Sequence, residues 1–274
     1  MGTTLDPYRI TDKLDDATLA IMVTRLESRG KHPRFTAMMN EYFAAMRIQS
    51  AKTVLDLGCG TGVAARAIAV RQGFAGHVTG IDVSPYLTAA AQGLAEKEGI
   101  ANTVTFRTGD SQSLNLPNAS FDAVIAHTLI SHVPNPLTVL KEIVRVVKPG
   151  GTVGIFDGDY ASMSFGSDDP EKGKVDDETI INAIVTNSRV MRQMPQLLLE
   201  AGLALTASFS YVIADIGKAD FWEPAIQSFV RLLPNAGAMT EIEARAWGEA
   251  MFNRSAHGVF FGASNYYSFV ATRR

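Results

Sequence analysis

Asp56 is followed by glycines at positions 58, 60 and 62, and two further aspartates, Asp82 and Asp110, stand at the ends of short apolar runs. Glycine tolerates positive φ and lets a ligand approach the main chain, and the free amides that open a following helix can face it. The spacing is not G-x-G-x-x-G, the dinucleotide turn, because residue 63 is Val. A carboxylate aimed into a phosphate cradle is also out of place, whereas Asp56 is suited to a ligand's ammonium group. Asp82, 20 positions past Gly62, can accept both hydroxyls of a ribose. Asp110 follows Gly109, and that pair is also ordinary turn chemistry. The candidate proton acceptors are His127, His132, Asp157, Asp159 and Tyr160. Histidine is the natural base near neutrality, although a histidine in an apolar segment also reads as a hydrogen-bonded structural residue and the two acids also read as loop caps.

These residues need strands that end where the chemistry starts. Val54 to Leu57, His77 to Asp82, Val104 to Asp110, Phe121 to His127 and Thr152 to Phe156 are apolar runs bounded by turn residues. They alternate with helical patterns at 63–72, 85–98 and 137–147, the signature of a parallel α/β sheet. Ser84-Pro85 starts one helix, and Lys148-Pro149-Gly150-Gly151 stops another. Ahead of the first strand, residues 14–47 read as two helices broken around Gly30 to Pro33, a candidate cover for the sheet's open end, with Tyr8 and Arg34 the residues to watch. Beyond Tyr160, residues 161–178 read as a polar mobile loop. Helices follow at 179–200, 221–233 and 241–253, with strands at 203–214 and 259–272. Met163, Phe165, Met191, Met194, Phe221, Trp222, Phe229 and Trp247 could line an apolar pocket or fill the core.

With 274 residues, 46% of them apolar, the chain can bury the core of one domain with additions. The formal charge of -3 and the lack of a basic block disfavour nucleic acid as a partner. No stretch approaches the ~18 apolar residues of a membrane span, and the first residues carry no signal pattern, so a cytoplasmic protein is expected. Cys59 is the single cysteine, which excludes an intrachain disulfide or a cysteine metal cluster. Inside the glycine turn it reads as a small residue filling a tight loop.

The run Asp56-Leu-Gly-Cys-Gly-Thr-Gly62, with Asp82, Gly109-Asp110, Phe121-Asp122 and His132-Val-Pro-Asn-Pro136, resembles class I S-adenosylmethionine-dependent methyltransferases. The similarity is to the small-molecule branch that includes quinone-pathway enzymes. It implies a Rossmann-like, mostly parallel sheet of seven strands, the last antiparallel and inserted between its neighbours. It also implies an N-terminal helical cover over 1–50 and a domain over 51–274 with helical insertions near 161–200 and 216–257. The cofactor implied is S-adenosylmethionine. Asp56, Gly58, Cys59, Gly60 and Gly62 would hold its methionine end, Asp82 its ribose, and Asp110 and Ser111 its adenine, with Val83 and Gly109 also in the cofactor site. His127 would lie beside the methyl group, and Arg34 would reach in from the cover. His127, His132, Asp157 and Tyr160 are then the catalytic candidates.

A metal-assisted catechol enzyme would want a carboxylate where His127 stands, so no metal is expected. The Asn/Asp-Pro-Pro-aromatic motif for planar amino nitrogens is absent at Ala126-His127-Thr128. The expectation is methylation of O, N or C on a planar or lipophilic small molecule by a monomer or homodimer. The alternatives are a non-catalytic S-adenosylmethionine-binding regulator and, less favoured, a nicotinamide-dependent oxidoreductase.

Overall fold

The computed structural model describes residues 6–274, organised around a seven-stranded sheet. The strands are β1 (Thr53–Leu57), β2 (His77–Asp82), β3 (Val104–Thr108), β4 (Phe121–His127), β5 (Val147–Phe165), β6 (Leu203–Gly217) and β7 (Phe260–Arg273). Their order is β3-β2-β1-β4-β5-β7-β6. Strands β1 to β5 pair in parallel, and β7 enters antiparallel between β5 and β6. The expected topology is therefore the observed one. The order reverses at β1, and open α/β sheets bind ligands beyond the carboxyl ends of their strands at such a switch point.

The helices are α1 (Asp16–Lys31), α2 (Pro33–Ala45), α3 (Val63–Ala69), α4 (Pro85–Lys97), α5 (Pro136–Val146), α6 (Pro170–Ile184), α7 (Val190–Ala201), α8 (Glu223–Asn235) and α9 (Glu241–Ala256). Side chains alternate across a strand, and the two faces of the sheet support separate cores. Val54 of β1 packs with α2 and α3, while Leu55 and Leu57 pack with α5 and α7. The alternation sends Asp56 to the face of Val54 and His127 to the face of Ala123 and Ile125. Both polar groups thus emerge on the α2 side. Local signals hold: Ser84 caps α4 by accepting from Leu87 N–H (3.3 Å), and α5 buries Val139, Leu140, Ile143 and Val146.

Residues 161–178 are not a loop. After a register shift β5 continues, with Ser164 and Phe165 opposite Ala263 and Gly262. Helix α6 then starts at Pro170, where Asp169 accepts from the amides of Glu171 and Lys172 (3.1 Å each). The polar composition of this segment reflects a strand edge and a helix N-terminus.

The first helix crosses the open end of the sheet. Leu19 and Met22 of α1 pack on Leu87 of α4. Arg66 of α3, buried, pairs with Glu27 of α1 and with Glu98, and Glu27 also accepts from Thr61 Oγ1 (2.7 Å). This clamp seats α1 over the glycine turn. No described helix is long and apolar enough to cross a membrane.

Candidate functional site

The carboxyl ends of β3, β2, β1 and β4 meet under α1 around a cavity of about 260 Å³. Asp110, Asp82, Asp56 and His127 line it, one from each neighbouring strand end. Strands lie ~4.8 Å apart, so the four side chains form a row. Gly58, Cys59, Gly60, Val83, Gly109 and Ser111 join the lining. The turn needs its glycines: Gly58 has φ +69, and a Cβ there would stand 2.5 Å from Leu129 Cδ1. Its shape is tied to β2, since Ile81 O accepts from the amides of Gly58 and Cys59 (2.8 and 3.0 Å).

Each acid in the row keeps accepting capacity. Asp56 is buried; its Oδ2 accepts from Ala65 N–H at 3.1 Å, and its Oδ1 has no partner among the described residues. Burial, reinforced by the charge of Asp82, pushes its carboxyl up to about 7 despite the Ala65 amide. Asp82 accepts from Gly60 N–H (2.8 Å) and Ser84 N–H (3.0 Å), and burial raises its carboxyl against those bonds. Asp110 is exposed, with Oδ1 bonded to Gln112 N–H at 2.8 Å. Cys59 is buried, and burial lifts its thiol far above the usual range, so it stays protonated and fills space.

The two histidines differ. His127 stacks on Phe156 (4.6 Å between centroids), with Phe35 edge-on at 5.2 Å and Tyr42 Oη 2.9 Å from Nδ1. Burial, together with the nearby Arg29 charge, lowers its pKa to about 3, and its Nε2 is buried without a partner among the described residues. His132 lies with Nδ1 2.9 Å from Asp6 Oδ2. Burial alone would lower its pKa, but the charge and hydrogen bond of Asp6 and the charge of Asp157 outweigh burial and raise it. Asp6 also accepts from Thr186 N–H and Oγ1 (2.9 Å each). Tyr160 lines the cavity, 5.9 Å edge-on from His132, and burial raises its phenol well above the usual range.

Other expected site residues stand elsewhere. Arg34 does not line the cavity; its Nη1 donates to Ala214 O (2.7 Å) and Asp215 Oδ1 (3.2 Å), securing the end of β6. Gly62 caps α3 with φ +77, pressed against Phe106, outside the lining. Asp157 lies beneath the cavity, where its carboxylate accepts from Ser131 N–H (2.9 Å) and Oγ (3.0 Å) and positions the loop that carries His132. Asp159 pairs with Arg192 at 2.9 Å. Met191 and Met194 belong to the core under α5, and Met163 and Phe229 to the core on the other face. Phe221 and Trp222 do reach a cavity, a smaller one beside the first.

The sequence reading missed Arg25, Arg29, Phe35 and Asp6. Arg25 and Arg29 share the inward face of α1 with Met22 and Leu26, at helical spacing. Charged residues interrupting an apolar stripe were the available signal. Arg29 Nη2 donates to Thr128 Oγ1 (3.0 Å), and Thr128 holds φ +56 directly after β4. A β-branched residue in that region is strained.

Residues 55–155 match the family described as methyltransferase domain. The chain is 30% identical over 207 residues to the sterol 24-C-methyltransferase ERG6B of Gibberella zeae, a match covering 75% of this chain and 53% of that one. It is 39% identical over 105 residues to the 2-methyl-6-phytyl-1,4-hydroquinone methyltransferase of Synechocystis, covering 38% and 31%. In these matches the chain spans about half or less of the relatives' length. Among solved structures, geranyl diphosphate C-methyltransferase from Streptomyces coelicolor, in complex with S-adenosylhomocysteine, superposes with a TM-score of 0.55 at 16% identity, covering 91% and 84%.

Proposed function

We propose, for a chain whose residues 55–155 match a methyltransferase domain, that it is a class I, S-adenosylmethionine-dependent enzyme that transfers the methyl group of S-adenosylmethionine to a lipophilic small molecule. The observation that carries the reading is the row of acids on adjacent strand ends, with the unpartnered buried Oδ1 of Asp56 at its β1 end. A buried carboxylate oxygen without a donor is costly, and an ammonium group relieves it. Asp82 retains lone pairs for a ribose, and Asp110 with the amide of Ser111 suits an adenine edge. The residues fit an amino acid, a ribose and a base in that order, and the three together describe S-adenosylmethionine. When bound, it supplies an electrophilic sulfonium methyl group.

The protein's own task is then to hold, orient and exclude water. Helix α1 covers the cavity, and Phe35, Tyr160 and Ile184 give it apolar walls. His127, hard to protonate at about 3, is a poor proton acceptor and serves instead as a polar contact through Nε2. His132, backed by Asp6, is the better base for an acceptor that must lose a proton, with Tyr160 positioned beside it. The sterol and hydroquinone substrates in the relatives' names support a lipophilic acceptor. The test is turnover. Purified protein should convert S-adenosylmethionine into S-adenosylhomocysteine only when an organic-soluble metabolite extract is added, and Asp82→Asn should suppress that conversion. Binding of NADH in preference to S-adenosylhomocysteine would refute the reading.

A further inference from the structure

A second cavity of about 220 Å³ adjoins the first and shares Arg25 and Arg29 with it. His32, Phe221, Trp222, Ala225 and Tyr266 complete most of its wall. The wall also carries Ser28, Asp220 and the Tyr266 hydroxyl, but its buried side-chain atoms left unpaired are all donors. Arg25 Nη1, Arg29 Nε and Trp222 Nε1 are all buried without a hydrogen-bond partner among the described residues. Each of these groups can only donate. Three unpaired donors around one cavity are costly to bury unless an acceptor-rich group meets them.

Among the described residues no carboxylate answers the two arginines, because the nearby acids are engaged. Glu27 holds Arg66 and Thr61, Asp6 holds His132 and Thr186, Asp157 holds Ser131, and Asp220, at the cavity wall, faces His32 at 3.3 Å. The guanidinium groups are nevertheless held in place. Arg25 lies 4.8 Å over the Phe229 ring, and Arg29 lies 4.9 Å over the Phe35 ring with Nη2 on Thr128. Stacked, oriented guanidinium groups suit planar, bidentate recognition of oxyanions.

We infer that the methyl acceptor carries a carboxylate or phosphate group, which Arg25, Arg29 and Trp222 bind in this second cavity while the apolar body of the acceptor extends into the first. The word acceptor rests on the methyl-transfer reading; the oxyanion site itself does not. Arg29 also stands beside His127 at the end of β4, so the cofactor's own carboxylate competes for it. Arg25, stacked on α8 and further from β4 along α1, discriminates between the two uses.

The experiment is a calorimetric titration of the S-adenosylhomocysteine-saturated protein with octanoate, octyl phosphate and neutral octanol. At least one anionic probe should bind about tenfold more tightly than octanol, and which one does identifies carboxylate or phosphate. Arg25→Gln should bring that probe to the affinity of octanol, with Arg25→Lys intermediate and affinity for S-adenosylhomocysteine changed by less than about threefold. Equal binding of octanol, or an anion affinity untouched by Arg25→Gln, overturns the inference. So does a parallel loss of S-adenosylhomocysteine affinity, which would assign Arg25 to the cofactor. Should the wild-type protein not bind S-adenosylhomocysteine, the cofactor reading fails, and the same titrations on the free protein still decide the oxyanion site. Trp222→Phe, which keeps an aromatic ring and removes the donor, should weaken the anion and leave S-adenosylhomocysteine affinity unchanged.

Discussion

Replacing Asp56 with Asn separates what this carboxylate costs the free protein from what it gives to a ligand. Burial, reinforced by the charge of Asp82 and opposed by the Ala65 amide, pushes its carboxyl from the ordinary 3.8 up to about 7. Between those values the folded state holds a proton that the unfolded chain has released, so the contribution of Asp56 to stability is greatest below about pH 3.8 and is lost as pH rises toward 7. At ~1.36 kcal/mol per pH unit the interval amounts to ~4 kcal/mol, or several degrees in Tm for a chain of this size. Asp56→Asn removes that slope, so the variant's Tm should fall less than the wild type's between pH 5 and pH 8. Ligand binding should show the opposite preference. An ammonium group at the unpartnered Oδ1 favours the ionised carboxylate, so binding S-adenosylhomocysteine at pH 7 should release about half a proton. Calorimetry in two buffers of different ionisation enthalpy measures that number. A charge-assisted hydrogen bond is worth ~1.5–3 kcal/mol, so the variant should bind roughly 10- to 150-fold more weakly and release no proton. Equal affinity in the variant, or no proton release by the wild type, would refute the assignment of Asp56 to an ammonium group.

The other consequences concern neighbouring parts of the site. Asp6→Asn leaves His132 without its anionic partner, so its pKa should fall and the acidic limb of the kcat/KM profile move to lower pH, with turnover lowered by ~10² if His132 is the base; an unmoved profile would make the pair purely structural. Gly62→Val places a β-branched side chain at φ +77 against Phe106, and should cost at least ~1–3 kcal/mol in denaturant unfolding. Arg66→Ala strands Glu27 at the α1–α3 clamp; protease cleavage near residues 16–31 should accelerate well before global unfolding, and S-adenosylhomocysteine should slow it.

The parts of the site that a local pattern specifies were legible in the sequence. An apolar run ending in Asp56 and alternate glycines has few other uses, and Asp82 and Asp110 end strands that read as strands. The order of those strands placed the three acids side by side. Ser84-Pro85 announced α4 because a capping hydroxyl and a first-turn proline act within four residues. What depends on distant partners was not legible. The second half of β5 pairs with β7 a hundred residues later, so residues 161–165 looked like loop, although Asp169-Pro170 was a readable start for α6. Arg25 and Arg29 went unnoticed because the docking of α1 is decided by Leu19 and Met22 meeting Leu87, a contact no local spacing reveals. The difference between His127 and His132 is likewise tertiary: one is enclosed by Phe35, Tyr42 and Phe156, the other faces Asp6 from the far end of the chain.

The most direct test of the central claim is the fate of a tritiated methyl group. S-adenosylmethionine labelled there, incubated with the purified protein and a whole-cell extract, is separated afterwards into small-molecule, protein and nucleic-acid fractions. Label should appear in an organic-soluble small molecule and be absent when Asp82→Asn protein is used. Label in protein or nucleic acid, or no transfer by a protein that binds S-adenosylmethionine and has been offered a broad set of extracts, would contradict the claim.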